Sequence, residues 1–498
     1  MVKPKHPIEI HFDRITRYHY LCFSILFLCK IPIYWHVMNL IFISPAMDFE
    51  CDGVKNHCPC NEPSWDRSVF TETIQTKYDI YCENTWVISL VQSVLHVGAV
   101  IGSLTFGFLA DRYGRLKMFT ICLFLIGIFG CLTTTMYTVT SYIVMRCLEG
   151  VSVGGAIVTS YVLVVEYCSK KHRDMISAIY HIPLNIGHTT MAGISYLLRD
   201  FQQFQNAISI PILFCVLLCI LIYESPKWLL DTGKINEGIT VLQKIGEFNG
   251  ETISEDTIRT ETELYIASQP SQVQEKINFW DIFKYKTLTV NFICMSIIFF
   301  ICGMGYYGVS QYIGRMSGDI HKNVAISGVI LIPGTLAAIY FLRVFSRRTF
   351  LMLTHLLSGI LLIIVICLPD NLTITRMIFA CLGNTFCLMS LLTVFLYGVE
   401  LFPTVVRSSV MGILSVLTRV GQITAPVVNA TDTTICGAIF GLSAILGAAL
   451  CYPLPYTKNT DLPSTLGETE KSKNEFKIQG FIKVLDIYLD KILLANYI

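Results

Sequence analysis

The sequence predicts an all-α membrane protein with twelve transmembrane helices in two six-helix halves. Three observations carry this expectation. Hydrophobic residues make up 53% of the 498 and charged residues 15%, against about 25% charged in soluble globular chains, and the mean hydropathy is +0.57. Twelve apolar runs recur along the chain, each close to the roughly 20 residues that cross a bilayer core. A long polar segment then divides them six and six. Backbone groups find no water in the hydrocarbon region, so runs of this kind are read as helices.

The first half is expected over 18–223, after an N-terminal arm at 1–17, with spans near 18–43, 86–110, 117–137, 141–166, 174–198 and 206–223. The run starting near Tyr20 follows a basic arm (Lys3, Lys5, Arg14, Arg17) and continues to about Ile43. That is too long for a signal-peptide core, so it is read as a first span that serves as its own insertion signal. The second half is expected over 287–452, with spans near 287–307, 323–342, 350–368, 372–398, 407–428 and 434–452. The segment 224–286 reads as a linker with short amphipathic helices, notably Ile235 to Glu247. The tail at 453–498 turns amphipathic from Phe476 to Leu494, which suits either a membrane-surface helix or a loosely ordered end.

Short-loop charge sets the orientation. One side carries Arg112, Arg115, Lys117, Lys170, Lys171, Arg173, Arg343, Arg347, Arg348 and Arg407; the other carries Arg199, Arg315, Lys322 and Arg376. The first side is read as cytoplasmic, with both termini inside and the 44–85 loop outside, in the plasma membrane. Most of the nineteen cysteines lie inside apolar runs, as small hydrophobes do. Cys51, Cys58, Cys60 and Cys82 cluster in the outer loop, where an oxidising compartment favours disulfides; four cysteines allow three pairings. A zinc site is the alternative, and the Cys-x-Cys spacing and outer position speak against it. Two sequons, at Asn371 and Asn429, fall in short outer loops too close to the bilayer for a glycan.

The net charge of +1 gives no footing for nucleic-acid binding. No P-loop, catalytic triad, metal cluster or dinucleotide fingerprint is visible, so neither an enzyme nor a cofactor nor a bound metal is expected. The partner these apolar runs imply is the lipid bilayer.

Between the second and third spans lies Gly107-Phe108-Leu109-Ala110-Asp111-Arg112-Tyr113-Gly114-Arg115-Leu116-Lys117. Glycine permits close helix approach, and the charges can bond neighbouring helix ends. A basic stop-transfer turn would explain Arg112, Arg115 and Lys117, but not Asp111 or the glycine spacing. Further charges read as cytoplasmic helix ends are Arg146, Glu149, Glu166, Arg173, Glu224, Glu400 and Arg407. The pieces 223–230 and 400–407 read as matching elements of two repeated halves. Such charges are expected to pair when the cytoplasmic side closes and to separate when it opens; the plainer alternative is solvated loop charge.

The 107–117 turn resembles the signature of the major facilitator superfamily. From about residue 15 to 452 the chain resembles the organic cation/anion/carnitine transporter family. The likeness rests on the Cys-bearing loop ending Tyr78-Asp79-Ile80-Tyr81-Cys82-Glu83-Asn84, Gly150-Val151-Ser152-Val153-Gly154-Gly155, Tyr306-Tyr307-Gly308, Gly318-Asp319-Ile320 and the 400–407 element. It implies a transporter of small organic ions working by alternating access of two pseudo-symmetric halves. The second-half turn departs from the pattern, reading Arg343-Val344-Phe345-Ser346-Arg347-Arg348 without Asp or Gly, so a weaker gate is expected there.

Arg419 lies inside the eleventh span. A mid-membrane Arg costs about 2.5–3.5 kcal/mol on insertion scales and needs a cavity or a partner; snorkelling to a helix end is the alternative. In the family this place carries Asp in cation transporters and Arg in anion and carnitine carriers, so the resemblance implies anionic or zwitterionic cargo. Leu331 stands where the family usually has an acid. Tyr306, Tyr307, Gln311, His36, Asn39 and Tyr161 are candidate cavity residues, with packing as the competing role for each. His181, Asn185 and His188 read as hydrogen-bonded packing positions. An organic cation carrier balanced by Glu149, a sugar carrier and a non-transporting receptor or scaffold are the rival functions.

Overall fold

The computed structural model describes residues 14–457, apart from 46, 170–171, 173–174, 177–178, 252–253, 269–278 and 370, together with Ile10. The expected tail helix at 476–494 and Arg173 lie outside the described residues. Twelve helices follow the apolar runs: α1 Arg17–Met38, α2 Trp86–Tyr113, α3 Arg115–Thr134, α4 Val139–Glu166, α5 Ile182–Leu197, α6 Phe201–Leu218, α7 Lys286–Arg315, α8 Ile320–Val344, α9 Arg347–Cys367, α10 Thr373–Leu401, α11 Thr404–Asn429 and α12 Thr433–Leu450. All except α5 are long and apolar enough, among the described residues, to cross a membrane.

Local chemistry sets many of the boundaries. Thr138, Asp200, Asp319, Ser346 and Asp432 precede α4, α6, α8, α9 and α12, and their side chains accept backbone N–H groups of the first turns, satisfying donors that have no partner inside the helix. The seventh helix runs eight residues beyond the expected 307. Within this end the Ser310 hydroxyl donates back to the Tyr306 carbonyl at 2.8 Å, so its polar group is satisfied inside the helix. After α1, Asn39 interrupts the helix and Leu40–Ile43 resumes it.

Successive helices run in opposite directions, giving the bundle two ends. The loop end carries 44–85, and the turn end carries the Asp111–Arg115 turn. In the first half α4 packs on α2 and α3, α6 on α3, and α1 on α5 and α6. In the second, α7 packs on α11 and α10, and α9 on α10 and α12. Cβ atoms at Gly150 and Gly154 would strike the α2 backbone at Leu95 and Ala99, so the small residues let α2 and α4 approach closely, as membrane helices do. The halves meet along α2–α11 and α5–α8.

At the loop end, three short strands, β1 Phe49–Cys51, β2 Val54–Lys55 and β3 Ser64–Trp65, form an antiparallel sheet ordered β2-β1-β3 with Glu50 opposite Lys55 and Phe49 opposite Trp65. Disulfides join Cys51 to Cys60 and Cys58 to Cys82, selecting one of the three pairings. Lys77 and Tyr78 bond the Thr134 and Met136 carbonyls at 3.1 and 3.0 Å. Those bonds seat the loop over the first half. The linker helix Ile235–Asn249 lies at the turn end, where Asn249 accepts the Tyr18 N–H at 3.0 Å.

Candidate functional site

Depth along each helix sorts the polar residues into three layers, at 1.5 Å per residue. Arg419 precedes the loop end of α11 by ten residues, about 15 Å, and the turn end lies about 22 Å away. It therefore sits too deep to snorkel. Its guanidinium donates to Gln422 Oε1 at 3.0 Å, and Tyr34 of α1, His96 of α2 and Tyr307 of α7 lie at a similar depth. Tyr34 precedes the end of the Arg17–Ile43 span by nine residues, His96 follows the start of α2 by ten and Tyr307 precedes the end of α7 by eight, so all three stand about 12–15 Å from their own loop ends. Tyr307 packs edge-on against His96 at 5.4 Å and Tyr306 at 5.1 Å. The Tyr306 hydroxyl is buried without a hydrogen-bond partner among the described residues. A central layer at the depth of Arg419 thus draws on both halves.

Of the expected cavity residues, this layer contains Arg419, Tyr306 and Tyr307. Gln311 lies nearer the loop end and accepts the Asn429 amide at 3.1 Å. Asn429 also donates to the Gly308 carbonyl at 3.0 Å, so the acceptor side chain of its sequon is buried and engaged in packing. Tyr161 stands only five residues from the turn end of α4, half-exposed, 6.3 Å from the Tyr180 ring. Three partners in the central layer were missed by the sequence reading: Tyr34, His96 and Gln422. Asn185 spends its amide across the α5–α8 seam on Thr335 and on the Leu331 carbonyl, at 2.7 and 3.2 Å.

Four expected assignments change together. Arg146 and Glu149 are not at the gate: Arg146 stands twenty residues, about 30 Å, from the turn-end residue Glu166 of the same helix. His36 and Asn39 do not face a shared cavity either. All four are fully buried inside the first half. Arg146 donates to Glu149 at 2.8 Å and to the Asn39 amide oxygen, His36 Nδ1 meets Glu149 at 2.5 Å, and Asn39 donates to Gln205 at 2.9 Å. Burial forces this arrangement, because a buried charge needs a partner and further hydrogen bonds.

At the turn end the two halves repeat one device. Arg115, opening α3, pairs with Glu166, closing α4, at 3.2 Å; Arg347, opening α9, pairs with Glu400, closing α10, at 3.1 Å. Arg115 also bonds Asp111, and Arg347 instead bonds the Leu342 carbonyl. A neutral acceptor therefore replaces the missing second-half Asp. Arg347, omitted from the expected gate, holds the place given to Arg343, which is exposed. Glu224 caps α3 by accepting the N–H groups of Leu116 and Lys117 at 2.8 and 3.2 Å, where a carboxylate meets the positive end of the helix. Arg112 is exposed, and Arg407 bonds the Phe402 carbonyl at 3.1 Å. These ion pairs tie helices within one half. Among the described residues, hydrogen bonds between halves occur from the middle to the loop end, at Ser89–Pro426 (3.4 Å), Ser93–Ile423 (2.8 Å), Asn185–Thr335 (2.7 Å) and Ser195–His321 (3.3 Å).

Comparison with known proteins decides the family. The sequence profile described as "Sugar (and other) transporter" matches residues 45–463. Organic anion transporter 3 of Oryctolagus cuniculus is 30% identical over 416 residues, spanning 83% of this chain and 77% of that one. The chain belongs to the organic-ion transporters of the major facilitator superfamily. Other relatives in this family are the beta-alanine transporter of Drosophila melanogaster, 28% identical over 83% of this chain and 69% of that protein, and solute carrier family 22 member 1 of Oryctolagus cuniculus, 24% identical over 89% and 80%. In fold, the inward-open xylose transporter XylE from E. coli matches with TM-score 0.67 at 16% identity, over 91% of this chain and 99% of that one. This organic-ion transporter is a multi-pass membrane protein whose relatives are carriers rather than enzymes.

Proposed function

We propose that the protein carries small organic anions or zwitterions across the plasma membrane by alternating access, with Arg419 reading the cargo's negative charge. The observation that carries this reading is a mid-depth Arg419 in no ion pair among the described residues, bordered by aromatic rings from both halves. A fixed cation of this kind attracts carboxylates and repels cations. Organic cation transport balanced by Glu149 is disfavoured, because that carboxylate is already held by Arg146 and His36. Leu331 leaves no acid at its position.

In this reading both termini and the turn end are cytoplasmic, and 18–223 and 287–452 rock as units. Contacts between halves toward the loop end, with turn-end ties internal to each half, support an inward-facing state. Uptake of labelled benzoate, carnitine, β-alanine and tetraethylammonium by cells displaying the protein tests the proposal. Benzoate or the zwitterions should accumulate and tetraethylammonium should not; Arg419→Asp should abolish that preference. Unchanged selectivity in Arg419→Asp would remove Arg419 from the site.

A further inference from the structure

A second cation lies at the same level, on the opposite half. Lys30 stands thirteen residues from each end of the Arg17–Ile43 span, about 20 Å from either side. Its side chain is 4% exposed. The ammonium donates to the Tyr180 carbonyl at 2.6 Å, lies 3.4 Å from the centre of the Tyr180 ring and 5.8 Å from that of Tyr34. Among the described residues it is in no ion pair. An ammonium has three donors, and one carbonyl and a ring face leave its charge uncompensated. Buried lysines are ordinarily paired, and a membrane-centre charge without a counter-ion marks a functional position. Lys30 approaches Tyr34 from one turn earlier on α1, at a depth similar to that of Arg419 on α11.

We infer that Lys30 is a second specificity-determining residue, so that each half contributes one cation to the cargo site and an organic anion is preferred over a zwitterion. This rests on the transport reading above and sharpens it. A zwitterion brings its own ammonium into a layer that, among the described residues, pairs neither cation with an acid, whereas a carboxylate supplies the missing counter-charge. The anion also bridges the halves, because Lys30 belongs to one and Arg419 to the other.

Equilibrium binding of radiolabelled benzoate and β-alanine to the purified full-length protein tests this. The variants are Lys30→Met, Lys30→Gln, Lys30→Arg and Arg419→Met, each checked for a monodisperse folded peak. Lys30→Gln keeps a donor for the Tyr180 carbonyl but drops the charge, so it separates anchoring from packing. Wild type should bind benzoate at least about tenfold more tightly than β-alanine. Lys30→Met and Lys30→Gln should each weaken benzoate about tenfold or more, as for loss of one charge-assisted contact, and Lys30→Arg should recover most of it. Folded Lys30→Gln binding benzoate like wild type, while Arg419→Met loses it, overturns the Lys30 assignment alone. β-Alanine bound as tightly as benzoate by wild type also overturns it. Benzoate binding that is absent in wild type, or indifferent to Arg419→Met, overturns the reading of Arg419 together with it.

Discussion

Replacing Glu149 by Gln should destabilise the first half severely while leaving its surface unchanged. Glu149 is wholly buried and receives Arg146 at 2.8 Å, His36 at 2.5 Å and Gln205 at 3.4 Å. The amide keeps the shape but removes the carboxylate paired with the buried Arg146 guanidinium. Removing one partner of a buried pair costs about 3–5 kcal/mol, since the other charge stays uncompensated. At about 2–4 °C per kcal/mol for a cooperative unit of this size, the unfolding midpoint should fall by roughly 6–20 °C. The assay is the folded fraction left on size-exclusion chromatography after graded heating of detergent-solubilised protein. The same physics makes a second demand: Arg146→Met combined with Glu149→Met should recover at least half the loss, because an apolar pair carries no stranded charge. Asn39 and Gln205 retain each other at 2.9 Å in that double variant. A drop below about 2 °C in Glu149→Gln, less than one kcal/mol on this scale, would refute the reasoning. So would a double variant no more stable than the single.

Two further outcomes concern the turn end. Gly114 adopts φ +118° and ψ 148° beside the Glu224 carboxylate, so Gly114→Ala should cost about 1–3 kcal/mol of backbone strain, read as a lower midpoint in the same heating assay; an unchanged midpoint counts against the turn geometry. The half-buried Arg115–Glu166 and Arg347–Glu400 pairs should give coupling energies of about 0.5–1 kcal/mol each in double-mutant cycles of thermal stability. A vanishing coupling for Arg347–Glu400 would mean that the second-half tie is not the equivalent of the first.

The number of helices, their order and the polarity of their loops were legible because hydropathy and charge are local properties of the chain. The Asp111–Arg115 turn, the Cys-bearing loop and the isolated Arg419 were legible for the same reason. The same rule that singled out Arg419 applies equally to Lys30, an ammonium in the middle of an apolar run, yet a single Lys in a long span was absorbed into the helix. Position along α4 likewise separated Arg146 from the gate; counting twenty residues to Glu166 would have placed it in the other half of the membrane. What only the tertiary structure decided is which polar residues share a layer. Helix rotation and tilt turn His36 and Asn39 toward Arg146 and Glu149 inside one half, while they bring His96 of the first half against Tyr307 of the second. The sequence determined where each charge enters the membrane; packing decided which group neutralises it, because that depends on faces contributed by helices far apart in the chain.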